Sequence, residues 1–162
     1  MEAIIEQAAQ DMVTHLTQNN LTDIADYYSY PAAVYFDTKV IVLQSREELL
    51  HAVGVYRSTL ASRRLARIVT RVIEAPRVKR DRFTVMVKNR YFDVSNQDIG
   101  TSRIRFYVQR ERGCLKIRLV EYLDWPCARE LQENEEFSRL FVSGSASRTL
   151  RRGTQTARVR LH

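Results

Sequence analysis

Two runs decide the fold: Arg103-Ile104-Arg105-Phe106-Tyr107-Val108-Gln109-Arg110 and, after the turn Glu111-Arg112-Gly113, Cys114-Leu115-Lys116-Ile117-Arg118-Leu119-Val120-Glu121-Tyr122-Leu123. In the first, Ile104, Phe106 and Val108 alternate with Arg103, Arg105 and Tyr107. Successive strand side chains point to opposite faces, so this reads as a strand with one core face and one partly wet face. In the second, Leu115, Ile117, Leu119 and Leu123 alternate with Lys116, Arg118, Val120 and Tyr122, and the short polar turn joins the two as neighbours. Upstream, residues 83–94 and 63–79 read as two more strands, the former followed by the polar turn 95–100. In residues 63–79 both faces carry apolar groups, Leu65, Val69 and Ile73 against Ala66, Ile68 and Val72. Pro76, which has no N–H to give a sheet, marks a bulge or an edge position there.

The first half is helical. Ile5, Ala8, Met12, Leu16 and Asn19 form one stripe at helical spacing over residues 2–19. Asn19-Asn20 ends that helix, and Asn20 or Thr22 caps a second over residues 21–28. It stops before Pro31, because proline pushes the preceding residue out of helical angles. Residues 32–37 and 39–44 read as a short hairpin. Ser45-Arg46-Glu47-Glu48 has the form of a capping box and opens a helix to about residue 61, with Leu49, Leu50, Val53 and Leu60 inward. Gly54 inside it points to close packing. Helices first and strands afterwards make an α+β domain, with helices on one face of a curved antiparallel sheet and a hollow between them. Pro126 suits the first position of a final helix over 126–142, with Leu131, Phe137, Leu140 and Phe141 on its apolar side.

Length and composition fit one domain, 1–125, followed by that helix and by an Arg-rich tail, 143–162. The tail holds five arginines and no acid, so residues 1–142 carry only +2 of the net +7. The basic excess is mostly a tail, read as flexible, with an edge strand through Ala157, Val159 and Leu161 as the alternative. Arginine outnumbers lysine 22 to 4, which fits phosphate recognition, but a coding bias is the favoured cause. No apolar run approaches the roughly 20 residues of a membrane helix. The start Met1-Glu2-Ala3 lacks a basic segment leading into an apolar one, so the expected compartment is the cytoplasm. Cys114 and Cys127 have no metal-ligand spacing, no HExxH occurs, and the five glycines are scattered singly, so neither a metal nor a cofactor is expected.

Three segments carry a resemblance: Gln18-Asn19-Asn20-Leu21-Thr22-Asp23-Ile24-Ala25-Asp26-Tyr27-Tyr28, Ala33-Val34-Tyr35-Phe36-Asp37 and Ser45-Arg46-Glu47-Glu48-Leu49-Leu50. Their order resembles the nuclear-transport-factor-2-like superfamily, with its polyketide cyclase-like (SnoaL-like) proteins and ketosteroid isomerases. The resemblance implies a cone-shaped sheet wrapped around three N-terminal helices, an apolar cavity open at one end, and frequent dimers through the outer sheet face. It places Asp37 near the isomerases' carboxylate base. Asp37-Thr38-Lys39 also sits where a hairpin reverses, which gives Asp37 a plain role as a turn residue. The isomerases' helix-1 tyrosine falls near Met12 and their second acid near Arg103 or Ile104, so their oxyanion hole is not built here.

Other candidates come from the strands and helices. Asn89, Tyr91 and Asp93 share one strand face, and Glu121 is in phase with Leu119 and Leu123. Facing a cavity, Tyr91 would donate a hydrogen bond and Asp93 or Glu121 accept a proton; facing outward, the acids pair with Arg103, Arg105 or Arg118. His15 lies beside the Ala8–Met12 stripe, and His51 lies on the third helix. Tyr27, Tyr28, Tyr35 and Tyr56 make either an aromatic wall for a flat ligand or plain core. The favoured expectation is a cavity protein for a small apolar or aromatic ligand, with cofactor-free proton-transfer, cyclase or dehydratase chemistry open. Two alternatives compete. One is a non-catalytic homodimer using Val120 and Tyr122 on the outer face; the other, less favoured, is nucleic-acid association through the tail.

Overall fold

A computed structural model describes residues 2–125 and 128–141. Three helices, α1 (Glu2–Thr17), α2 (Leu21–Ala25) and α3 (Arg46–Ala61), pack on one sheet. The strands are β1 (Tyr28–Phe36), β2 (Lys39–Leu43), β3 (Leu65–Lys79), β4 (Arg82–Asp93), β5 (Asp98–Glu111) and β6 (Cys114–Asp124). Their order is β2-β1-β6-β5-β4-β3, with β1 and β6 parallel and every other pair antiparallel. The result is an α+β cone: a curved sheet, mixed at one junction, wrapped over the helices.

Helix boundaries follow local chemistry. Asn19 adopts a left-handed backbone, φ 62°, and ends α1. Met12 and Ile5 of the expected stripe are half-buried, Ala8 is exposed, and Val13 and Leu16 go to the core. The second helix is shorter than its sequence suggests. Tyr28 pairs with Ile117, and Ile117 N–H donates to Tyr27 O at 2.7 Å, so the sheet takes residues that propensity gives to the helix. At α3, Ser45 Oγ accepts from Glu48 N–H at 3.2 Å, and Glu48 Oε2 accepts from Gln44 N–H at 2.6 Å. The capping box therefore closes one residue further upstream than its usual form.

β3 is the sheet edge, and register shifts flank Glu74, on both sides of which pairing skips; Pro76 thus lies at a bulge and on an edge together. An edge strand leaves half its backbone groups without a ladder partner. Here α1 supplies them. Gln10 Nε2 donates to Ile68 O at 3.0 Å and its Oε1 accepts from Thr70 N–H at 2.9 Å. One turn earlier, Glu6 Oε2 accepts from Val72 N–H at 2.9 Å while its other oxygen meets Arg71.

β6 departs from simple alternation. Ile117 pairs with Val108 but Leu119 with Tyr107, so Arg118 is an extra residue opposite a single step of β5. The bulge exchanges the faces beyond it. Val120 and Tyr122 turn inward, with Val120 only 2% exposed, while Leu119, Glu121 and Leu123 turn outward. The outer face therefore lacks the Val120–Tyr122 pair expected of a dimer surface. It carries ion pairs instead: Arg105–Glu121 at 2.6 Å, Arg103–Asp124 at 2.7 Å and Arg90–Asp98 at 3.1 Å.

After β6, the described residues form two short helices, α4 (Ala128–Glu133) and α5 (Glu135–Ser138), in place of one continuous helix. Asn134 separates them, because its Oδ1 accepts from Phe137 N–H at 2.9 Å and so starts a new helix. Leu131 and Phe137 are buried against Phe36 and its neighbours. Pro126, Cys127 and the expected tail 143–162 lie outside the described residues.

Two stability measurements check this account. Gln10→Met removes both edge bonds at nearly constant volume and should lower urea-unfolding stability by about 2 kcal/mol. A Cβ on Gly54 would meet only Leu21 Cδ1, at 3.9 Å, an ordinary contact. Gly54→Ala should therefore stabilise the protein by about 1 kcal/mol through helix propensity; a loss of stability would mean the helix needs that glycine.

Candidate functional site

The concave face of the sheet, α1 and α3 enclose an inner chamber of about 80 Å³. Its greasy walls come from Met12, Val13 and Leu16 on α1, Val53 on α3, and Val87 and Ile104 on the sheet. Its polar groups are Tyr28, Tyr56, Thr70, Asn89, Tyr91 and Tyr122. The two-residue period of β4 puts Val87, Asn89 and Tyr91 on one face, and cross-strand register sets Thr70 and Ser102 on either side of Asn89. These are rows of a single inner surface.

Hydrogen bonding links most of the polar groups to one another. Tyr56 and Tyr91 hydroxyls lie 3.2 Å apart, and Tyr91 Oη lies 2.8 Å from Ser102 Oγ. Thr70 Oγ1 donates to Asn89 Oδ1 at 2.5 Å. Asn89 is only 3% exposed. Thr70 holds its Oδ1, while Nδ2 enters none of these bonds.

The phenols stay protonated. Burial pushes the Tyr56 and Tyr122 pKa values well above the ordinary phenol range, with neighbouring tyrosines adding to it. Tyr28 is raised the same way, by burial first and Tyr30 second. Among the described residues, no carboxylate or imidazole lines this wall. The chamber can donate and accept hydrogen bonds, and no lining side chain ionises near neutral pH.

A second, outer chamber of about 110 Å³ lies toward the start of α1. Ile5 and Ala8 of α1, with Tyr27, Val85, Val108 and Ile117, make most of its wall. It shares Ala9, Met12 and Phe106 with the inner chamber, so those three side chains are the partition.

Of the residues singled out from the sequence, Tyr28, Tyr56, Asn89 and Tyr91 come together in the inner chamber, and Tyr27 lines the outer one. The others lie elsewhere. Asp37 is exposed in the β1–β2 turn with φ 55°. Asp93 accepts Ser95 N–H at 2.8 Å and Gln97 N–H at 2.9 Å, fixing the β4–β5 turn. Glu121 faces outward because of the Arg118 bulge, and Tyr35 shares that face as its register partner on β1. His15 sits on α1 with Nδ1 3.6 Å from an Asp23 oxygen and lines neither chamber. His51 is exposed on α3. Sequence reasoning missed Thr70, Ser102 and Tyr122. Thr70 and Ser102 had a signal, since they are small polar residues in phase with inward apolar ones; Tyr122 had none, because alternation cannot show a bulge.

No protein-family model matches the chain, and no curated protein matches it. Solved structures do. A domain of unknown function with a cystatin-like fold from Nostoc punctiforme aligns with TM-score 0.60 and 13% identity, over 97% of this chain and 96% of that one. Aln2 from Streptomyces aligns with TM-score 0.57 and 11% identity, over 75% and 89% of the two chains. An NTF-2 like protein of unknown function from Shewanella oneidensis aligns with TM-score 0.56 and 10% identity, over 75% and 96%. At these identities the likeness concerns architecture alone, and it agrees with the strand order and helix placement: the chain has the nuclear-transport-factor-2-like fold.

Proposed function

We propose that the protein binds a small, uncharged, mostly apolar molecule carrying one hydrogen-bond acceptor in the inner chamber. The observation that carries this reading is Asn89: an amide whose oxygen is held by Thr70, 3% exposed, on a wall otherwise made of hydrocarbon, one threonine and neutral phenols. A ketone or ether oxygen can accept from Asn89 Nδ2–H, and no cation among the described lining residues favours an anion. A volume near 80 Å³ is about half that of an engineered apolar cavity of about 150 Å³ that takes up benzene, so it suits a ring smaller than six members. Proton abstraction needs a group poised near neutral pH. The lining supplies none, so binding is favoured over the proton-transfer chemistry that Asp37, Asp93 or Glu121 suggested.

Cyclobutanone is the probe of choice. Ligand-observed NMR should show it bound to the wild-type protein and excluded by Val53→Phe, which fills the chamber from a half-buried helix position. Asn89→Leu should weaken cyclobutanone about tenfold while leaving methylcyclobutane unchanged. Equal binding to Val53→Phe, or no binding to wild type, overturns the proposal.

The neutral phenols predict a stability profile. Tyr28, Tyr56 and Tyr122 have folded pKa values above the unfolded value of about 10. The stabilisation from keeping them protonated is complete below pH about 10 and is lost as pH rises toward their folded values, at up to about 1.4 kcal/mol per pH unit for each. Urea midpoints followed by circular dichroism should hold to about pH 9.5 and then fall steeply. Tyr122→Phe should make that fall shallower.

A further inference from the structure

The outer chamber has a different chemistry from the inner one, and the difference lies at its mouth. Its wall is hydrocarbon except for the Tyr27 hydroxyl. Two wall residues lie open to solvent, Ile4 at 74% exposure and Leu115 at 46%. Leu115 pairs across the sheet with Arg110, two residues beyond Val108 of the same wall, so Arg110 stands on the chamber's side of the sheet. Arg110 N–H donates to Asp81 O at 2.8 Å, which sets the β3–β4 and β5–β6 turns side by side. Those turns carry Arg80 and Arg112, both with positive φ.

Charge at this end is left uncompensated. On the outer sheet face Arg90, Arg103, Arg105 and Arg118 each hold a carboxylate. Arg80, Arg110 and Arg112 hold none within 4 Å among the described residues. Of the acids on the two turns, Glu111 is occupied by Arg118 and by Ser29 Oγ at 2.8 Å, which leaves Asp81 against three arginines. An open hydrocarbon slot with spare guanidinium groups at its rim matches one kind of molecule: a chain with an anion at its end.

We propose that the outer chamber binds a single-chain anionic amphiphile. The hydrocarbon chain lies between α1 and the sheet, and the anionic head meets Arg110, with Arg80 and Arg112 adding to the attraction. A nucleic acid strand would have no use for the slot. A flat membrane surface would not enter it. The site goes beyond the neutral-ligand reading of the inner chamber and does not depend on it.

Titration calorimetry with monomeric decanoate, decanol and decyltrimethylammonium tests the assignment on the full chain. Decanoate should bind at least about tenfold more tightly than decanol, and the cation most weakly. Arg110→Met should bring decanoate down to the decanol level and leave decanol unchanged. Ala8→Phe, a change at an exposed helix position that the fold tolerates, should abolish both. Decanol binding as tightly as decanoate, or decanoate retained by Ala8→Phe, overturns the proposal. So does binding to phosphatidylglycerol vesicles with no uptake of monomeric decanoate, which makes this end a membrane contact. Val53→Phe should leave decanoate binding intact, so the two chambers succeed or fail separately.

Discussion

The docking of α1 on the edge of β3 is the constraint on which the cone depends. A curved sheet of six strands does not close on itself, and its last strand needs partners for its backbone. Gln10 and Glu6, one helical turn apart, present a carboxamide and a carboxylate to Ile68, Thr70 and Val72. Side chains of a helix thus do the work of a seventh strand. The same contact fixes the height of α1 above the concave face, because Ala9, Met12 and Val13 follow from the rotation that Gln10 sets. Both chambers are spaces left under a helix held in this way.

Much of this was legible in the sequence, and the parts that were not share a cause. Alternation located the strands, Ser45 and Glu48 located the start of α3, and Pro76 located the irregular edge. Those signals are local. The end of α2 was misread because Tyr28 is claimed by β6, about ninety residues along the chain. The inward phase of Val120 and Tyr122 was misread because the Arg118 bulge follows from the curvature of the whole sheet, and a two-residue period gives no warning of it. That single slip moved Glu121 from a supposed cavity wall to the outer face, beside Arg105. Gln10 carried no signal at all, since a glutamine on a helix looks solvated until the strand it serves is in place.

The candidate site shows the same division. Asn89 and Tyr91 share a face by spacing alone, and that much is readable; which face is wet requires the sheet. Acids were the attractive candidates for chemistry, yet each found a less costly place than an apolar chamber. Asp37 turns a hairpin, Asp93 collects two backbone N–H groups, and Glu121 pairs with Arg105. A carboxylate in the inner chamber would meet hydrocarbon and phenols without a cation, a cost of several kcal/mol that nothing there offsets. Tyrosine suits such a wall, because its hydroxyl bonds within the wall and stays neutral when buried.

The far end of the cone is covered by aromatic side chains. Phe36 stacks on Tyr122 at 4.6 Å and meets Phe137 and Phe141 edge-on at 5.5 and 5.8 Å. Trp125 packs into the same cluster, and Leu131 is fully buried beside it. These rings cover the end where α4 and α5 return, so the inner chamber is shut on that side. On the opposite side the inner chamber borders the outer one at Met12, Ala9 and Phe106. Met12 is the movable member of that partition. It is unbranched, with several rotatable bonds, and methionine repacks at little cost where a branched side chain would not.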